Sequence, residues 1–333
     1  MPAGAGRLTP TTARPRRCLC GRHYSSAMSS PSATSPASAS SAQVGGLRSV
    51  AANGVDFALL EAGPADGPLA LCLHGFPDTA HTYRHLLPAL AGAGYHAVAP
   101  FSRGYAPTSL ATDGAYQLGA LVADAGALHD LLGGDGDAVL VGHDWGAMTA
   151  YAAAAHRPDA WRRVVAMAVP PAQASAQTLF TYEQLRRSFY IFLFQTPLAD
   201  LVLQMPDVAF LERLWGDWSP GYDATEDVAH VQASLADPAH LMAAVGYYRA
   251  MFDATLHLDT YAEAQAAAAT PPPQPLLYLH GEDDGCFGLD PATDVLGQLA
   301  PGSRYERIAG AGHFLHLEHP GRVGDMILEF LRA

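Results

Sequence analysis

From residue 69 onward the chain repeats one pattern: a short apolar run, a turn, then a longer segment with helical spacing. The runs are LALCLHG (69–75), HAVAP (96–100), AVLVGHD (138–144), WRRVVAMAVP (161–170), PLLYLHG (275–281) and RYERIA (304–309). Short, continuously apolar runs bounded by turns are what strands buried on both faces require. Helical segments are read over residues 79–92, 116–132 and 146–155 and after each of the last two strand runs. Two strands joined through a helix pair in parallel, so the alternation specifies a mostly parallel, doubly wound α/β sheet. Ahead of it, LRSVAANGVDFALLEAG (47–63) reads as an antiparallel hairpin turning at Asn53-Gly54.

The rhythm stops after the sixth strand. Residues 171–270 are aromatic and helical in character, broken by Pro197, Pro206, Pro220 and Pro238, and they end at Pro271-Pro272-Pro273. The expected organisation is a core of residues 46–170 and 271–333 with a helical lid, 171–270, over the carboxyl ends of the strands.

All 19 basic residues are arginine, which excludes Schiff-base chemistry and a lysine-dependent phosphate loop. Six arginines and no acid precede Asp56, leaving 13 basic against 32 acidic residues in the remainder, a net of −19 there. So acidic a body repels phosphate backbones and anionic membranes, and neither nucleic acid nor membrane is an expected partner. The four cysteines, Cys18, Cys20, Cys72 and Cys286, form no disulfide framework. No feature of the sequence sets an oligomeric state.

Residues 1–45 are rich in Arg, Ser, Ala and Pro and lack acids, the composition of a transit peptide for mitochondrial import. Arg22-His23-Tyr24-Ser25 resembles a processing site cut before Ser25. The alternative is sequence upstream of a start at Met28, which leaves the protein cytoplasmic.

VGHDWGA (141–147) sets Asp144 in the middle of a Gly-x-nucleophile-x-Gly pattern, between a strand and a small-residue helix. Such a junction turns sharply and lifts the central side chain above the sheet. Serine is the usual occupant, yet no Gly-x-Ser-x-Gly occurs elsewhere in the chain. An ordinary aspartate helix cap accounts for Asp144 but not for both flanking glycines. After the last strand, AGAGHFLHLEHP offers His313, His316 and His319 as bases. Three histidines at that spacing, without a matching Cys or acid cluster, make a weak metal signal. An acid to orient a histidine is missing from PPAQASAQ after the sixth strand, whereas HGEDDG after the seventh supplies Asp283 and Asp284.

Together with LHGFPD (73–78), these motifs resemble the α/β-hydrolase superfamily, and over residues 45–332 they resemble its soluble epoxide hydrolase branch. The resemblance implies the α/β-hydrolase fold, with the order nucleophile, acid, histidine along the chain. It implies Asp144 as nucleophile, His313 as general base and Asp284, at Gly281-x-x-Asp284, as the acid orienting it. It implies an oxyanion hole from the backbone N–H groups of Phe76 and Trp145, and no cofactor or metal. In the lid, RSFYIFLFQTP and GYYRAMF match the segments that carry ring-opening tyrosines, here Tyr190 and Tyr248 rather than Tyr247. RGYAPTS (103–109) departs from the family's Arg-Gly-Tyr-Gly loop at Ala106, which puts fine specificity in doubt.

A carboxylate nucleophile fits attack on a saturated carbon. Serine would leave an ether, which no triad hydrolyses; a carboxylate leaves an ester, which activated water can open. The implied substrate is a small apolar epoxide, since Phe189, Phe192, Leu193, Phe194 and Met251 surround the two tyrosines in sequence. A haloalkane dehalogenase is the alternative, kept alive by Trp215 and Trp218 in the lid but opposed by Phe76 where that family has asparagine. A non-catalytic receptor or scaffold of the same fold is the alternative from another class.

Overall fold

Asn53 and Gly54 both take positive φ, 46° and 73°, as a two-residue hairpin turn requires. They join β1 (Arg48–Ala52) to β2 (Val55–Ala62), with Ala52 opposite Val55. The computed structural model describes residues 44–205, 208–290 and 293–333. All but the last two positions of the leader, with Cys18, Cys20, Met28 and Pro206, lie outside the described residues.

The remaining strands are β3 (Leu69–Leu73), β4 (His96–Pro100), β5 (Val139–His143), β6 (Arg163–Met167), β7 (Leu276–Gly281) and β8 (Arg304–Ile308). They form one sheet in the order β1-β2-β4-β3-β5-β6-β7-β8. Antiparallel pairing is confined to β1 with β2 and β2 with β4; every other pair is parallel. The period-two alternation of side chains sorts each strand onto two cores. Cys72, Val141, Val165 and Leu279 enter one core, and Leu71, Leu140, Val164 and Tyr278 enter the other.

Helices α1 (Leu86–Gly92), α2 (Leu118–Leu131) and α3 (Trp145–His156) follow β3, β4 and β5. The helical spacing over 79–92 divides into a 3₁₀ turn, Ala80–Tyr83, and α1. A continuous helix would drive the Pro88 ring into the carbonyl of residue 84, and the break leaves Pro88 in a first turn, where its missing N–H costs nothing. After β6 come eight α-helices among the described residues, from α4 (Ala172–Leu179) to α11 (Ala262–Ala266). One of the prolines that interrupt this stretch, Pro238, opens a helix: it sits at the start of α10 (Pro238–Phe252), where Asp237 accepts from the Ala239 N–H. After the last strand, α12 (Leu315–Glu318) leads into α13 (Pro320–Arg332).

The helix expected after β7 is absent from the described residues, where only a 3₁₀ turn, Leu296–Gln298, occurs before β8. Glycines at 285, 288 and 297 disfavour helix here, and the Asp284 carboxylate holds the N–H groups of Cys286 and Phe287 in a turn instead. Among the described residues no helix is long and apolar enough to cross a membrane.

Candidate active site

The end of β5 is tightly closed. A Cβ on Gly146 would lie 1.8 Å from the Leu73 carbonyl oxygen, and one on Gly142 would lie 2.2 Å from the Gly146 oxygen. Only glycine lets β3, β5 and α3 approach so closely. Between them Asp144 is forced to φ 54° and ψ −118°, a conformation that L-residues adopt only under surrounding constraint. Its Oδ1 accepts the Phe76 N–H at 2.8 Å. Trp145 begins α3, so its N–H is among the first-turn groups that lack an intrahelical acceptor.

His313 lies in the loop after β8, fully buried, with Nδ1 3.0 Å from Asp284 Oδ2. A carboxylate oxygen accepts there, so Nδ1 carries the proton and Nε2 faces Asp144 Oδ2 at 3.7 Å. Asp284 Oδ1 in turn accepts the N–H groups of Cys286 and Phe287, each at 2.8 Å. Asp283, the rival acid, points outward. Burial opposes the His313 imidazolium, but the Cys286 sulfur, Asp284 and Asp144 outweigh it and hold the ring well above its ordinary value. Burial likewise works against the Asp284 carboxylate, and His313 overrides it to keep that group below its usual range.

Three successive backbone N–H groups fix the base loop. Gly312 donates to Glu318 Oε2 at 2.8 Å, His313 to the Trp218 carbonyl at 2.9 Å and Phe314 to Ser219 Oγ at 3.0 Å. The Trp218 carbonyl also accepts from Gly285 at 3.1 Å, and Arg187 donates to the Asp284 carbonyl. Trp218 closes helix α8 (Phe210–Trp218), so this helix ties down the loops that carry both His313 and Asp284. These supports carry no sequence motif; apart from Glu318, six residues from Gly312, only the fold brings them to residues 67 to 97 positions away.

His316 is buried, its Nε2 2.6 Å from Thr82 Oγ1, and its ring packs 4.6 Å from that of His143. His319 is part-exposed and bonds the Gly310 carbonyl. Neither reaches Asp144 as His313 does.

Above Asp144 a cavity of about 340 Å³ opens, lined in part by Trp145, Tyr190, Tyr248, Met251 and Cys286. Tyr190 comes from α6 (Phe189–Phe194), its hydroxyl 3.6 Å from Cys286 Sγ. Tyr248 comes from α10, and its buried hydroxyl makes no hydrogen bond among the described residues. Burial pushes both phenols well above their ordinary value, so both stay protonated. Tyr247, by contrast, donates to the Arg103 carbonyl at 2.7 Å, with Arg103 itself buried against Asp124. The RGYAPTS loop thus supports α10 and lies outside the cavity wall.

Of the apolar residues grouped with the tyrosines in sequence, only Met251 lines this cavity. Phe192 stacks on Phe252 at the surface, Phe194 packs on Phe76, and Phe189 is half exposed. Helical periodicity is the reason: of α6 only Tyr190 and Ile191 line the cavity, while Phe194 turns into the core beside it. The walls come instead from Met148, Ala172, Ala176 and Leu179, the last three at helical spacing in α4. The Trp215 indole N–H donates to the Pro77 carbonyl at 2.8 Å, so it is not free to hold a halide.

A nucleophile elbow on β5, an acid after β7 and a histidine after β8 define the class of protein, and the comparisons agree. The family model for the alpha/beta hydrolase fold matches residues 68–320, and the chain belongs to that family. Within it the chain belongs with the epoxide hydrolases. It is 33% identical to epoxide hydrolase A of Mycobacterium tuberculosis, over 85% of this chain and 96% of the relative. It is 30% identical to an epoxide hydrolase of Caballeronia sordidicola, over 85% and 93% of the two chains. Among solved structures, epoxide hydrolase A of Mycobacterium thermoresistibile superposes with a TM-score of 0.69 at 29% identity, covering 86% of this chain and 98% of the other. The epoxide hydrolase VrEH1 of Vigna radiata gives 0.70 at 25% identity, over 86% and 97%.

Proposed function

We propose that the protein hydrolyses a small, neutral, apolar epoxide to a vicinal diol through an ester on Asp144. The observation that carries this is a carboxylate at the elbow, within 3.7 Å of a histidine and beneath a cavity that two buried phenols also line. Asp144 Oδ1 is held on the Phe76 N–H, which leaves Oδ2 to attack. Oδ2 forms a bond to an epoxide carbon, the ring C–O bond breaks, and the ring oxygen takes a proton from Tyr190 or Tyr248.

Ester formation removes the negative charge of Asp144, one of the partners that keep a proton on His313. The ring then gives up its Nε2 proton, which reaches the phenolate through solvent, and is free to act as a base. Its Nε2 takes a proton from water, whose oxygen attacks the Asp144 carbonyl carbon. The oxyanion forms at Oδ1, facing the Phe76 N–H, with Trp145 as second donor; such donors are each worth about 3 to 4 kcal/mol. Collapse breaks the ester bond, frees the diol and restores the carboxylate, and the proton taken from water stays on His313, which returns the site to its starting state.

On this reading residues 46–170 and 271–333 are the catalytic core and 171–270 its cap. The basic, acid-free composition before Asp56 supports mitochondrial import, which N-terminal sequencing of the natural protein tests: residues 1–24 still attached would refute it.

One turnover in ¹⁸O-labelled water tests the chemistry. The first diol should carry an unlabelled oxygen from Asp144, and label should enter the protein. Full label in that diol rejects the ester; halide release from a bromoalkane without diol formation favours dehalogenation; saturable binding with no turnover of either favours a receptor.

A further inference from the structure

The proposed ester cycle has no use for Cys286, yet its sulfur stands at the centre of the chemistry. Cys286 is 4% exposed, opens onto the cavity, and lies beside the Tyr190 hydroxyl. Its sulfur, one carboxylate oxygen of Asp144 and one ring nitrogen of His313 all lie within 4.8 Å of one another. His313 is wholly buried, and its Nε2 makes no hydrogen bond among the described residues. Three ligating atoms of different softness thus converge where a group can enter from the cavity.

We propose that Asp144, Cys286 and His313 form an inhibitory site for a borderline-soft divalent cation, zinc or cadmium. Sulfur, imidazole nitrogen and carboxylate oxygen are the donors such ions take, and three protein ligands leave a fourth position for water. Magnesium and calcium seek six or more oxygens and are not accommodated. In a tetrahedral zinc site the donors stand about 3.3 to 3.5 Å apart, within roughly 1.5 Å of the spacing here. On coordination the Cys286 thiol and the protonated His313 ring each give a proton to solvent, and no electrons are exchanged. The ion occupies the nucleophile and the base together, so it competes with substrate.

A second trio, Asp78, His143 and His316, is equally close, but all three are buried and none lines the cavity. The cavity gives the first site its entry path, and that favours it.

Loss of activity on metal binding rests on the epoxide hydrolase reading; binding itself does not. The test titrates metal-stripped protein with zinc by calorimetry and with cobalt(II) as a spectroscopic probe. One equivalent should bind, cobalt should give a thiolate-to-metal charge-transfer band, and zinc should inhibit epoxide turnover competitively until a chelator is added. Cys286→Ala, each protein compared with its own metal-free rate, should weaken binding beyond the roughly 10- to 100-fold typical of losing an outer-shell partner. Cys286→Ser, closer in volume, should also lose the band and serves if the alanine variant misfolds. Unchanged zinc affinity in both variants, no cobalt–thiolate band, or loss of binding in His316→Ala alone would overturn the site. A normal band in a protein that turns over no epoxide would instead sink the activity and leave the site standing.

Discussion

The ring of His143 donates from Nε2 to the carbonyl oxygen of His313 at 3.0 Å. A carbonyl can only accept, so the tautomer is fixed, and burial pulls the ring down to about 3, keeping it neutral. The residue before Asp144 therefore holds the backbone of His313. His143→Phe removes this donor while keeping most of the ring volume. We expect ester hydrolysis to slow about 10- to 100-fold, the scale of an ångström of misplacement, with alkylation little changed. Intact-protein mass under turnover should show ester accumulating; equal loss in both steps would contradict this role.

The two phenols differ in what they have to do besides catalysis. The Tyr190 hydroxyl lies 3.6 Å from the Cys286 sulfur, whereas the Tyr248 hydroxyl makes no hydrogen bond among the described residues. Each Tyr→Phe change should cut the rate of alkylation, Tyr248→Phe more than Tyr190→Phe, and the double variant should lose about 10²- to 10⁴-fold. Rapid-quench measurement of the ester burst decides it; a double variant that alkylates normally would remove the phenols from ring opening.

His313 is held above its ordinary value partly by Asp144. Asp144→Asn removes that charge, so the His313 pKa should fall, a change NMR titration of the ring can follow. The sign for activity is the opposite limb: water activation needs the neutral ring, so kcat should decline as pH drops through the pKa of the ester state. A His313 pKa that rises in Asp144→Asn would overturn the proposed release of the base.

Gly146→Ala tests the elbow. Its Cβ would sit 1.8 Å from a backbone oxygen, which no side-chain rotation relieves. Strain of this kind should cost upwards of about 3 kcal/mol and lower the melting temperature by several degrees. A variant as stable and active as the parent would show that β3 and α3 can part without loss.

The alternation of strands was legible because the central strands β3 to β7 are buried on nearly every position and read as apolar runs. That Asp144, Asp284 and His313 come together was legible because each follows a strand end, and a parallel sheet gathers those ends on one edge. Asp283 and Asp284 could not be separated in sequence, since a one-residue difference at a turn decides which carboxylate faces inward. Cys286 looked solitary because its neighbours Asp144 and Tyr190 are about a hundred residues or more away in the chain. The phenylalanines of α6 misled because composition near the tyrosines says nothing about which side of a helix meets the cavity. Missing too was Glu318, a carboxylate whose role lies in the backbone N–H of Gly312 that it accepts.

The hold that Trp218 and Ser219 exert on the His313 loop limits how relatives of this protein can be recombined. A chimera joining this sheet to another protein's inserted helices could keep every reacting side chain and still inherit an untethered base. Crossover points that carry residues 210–219 along with the sheet would keep the two matched, so the end of α8 is, for inheritance and for engineering, part of the core it covers.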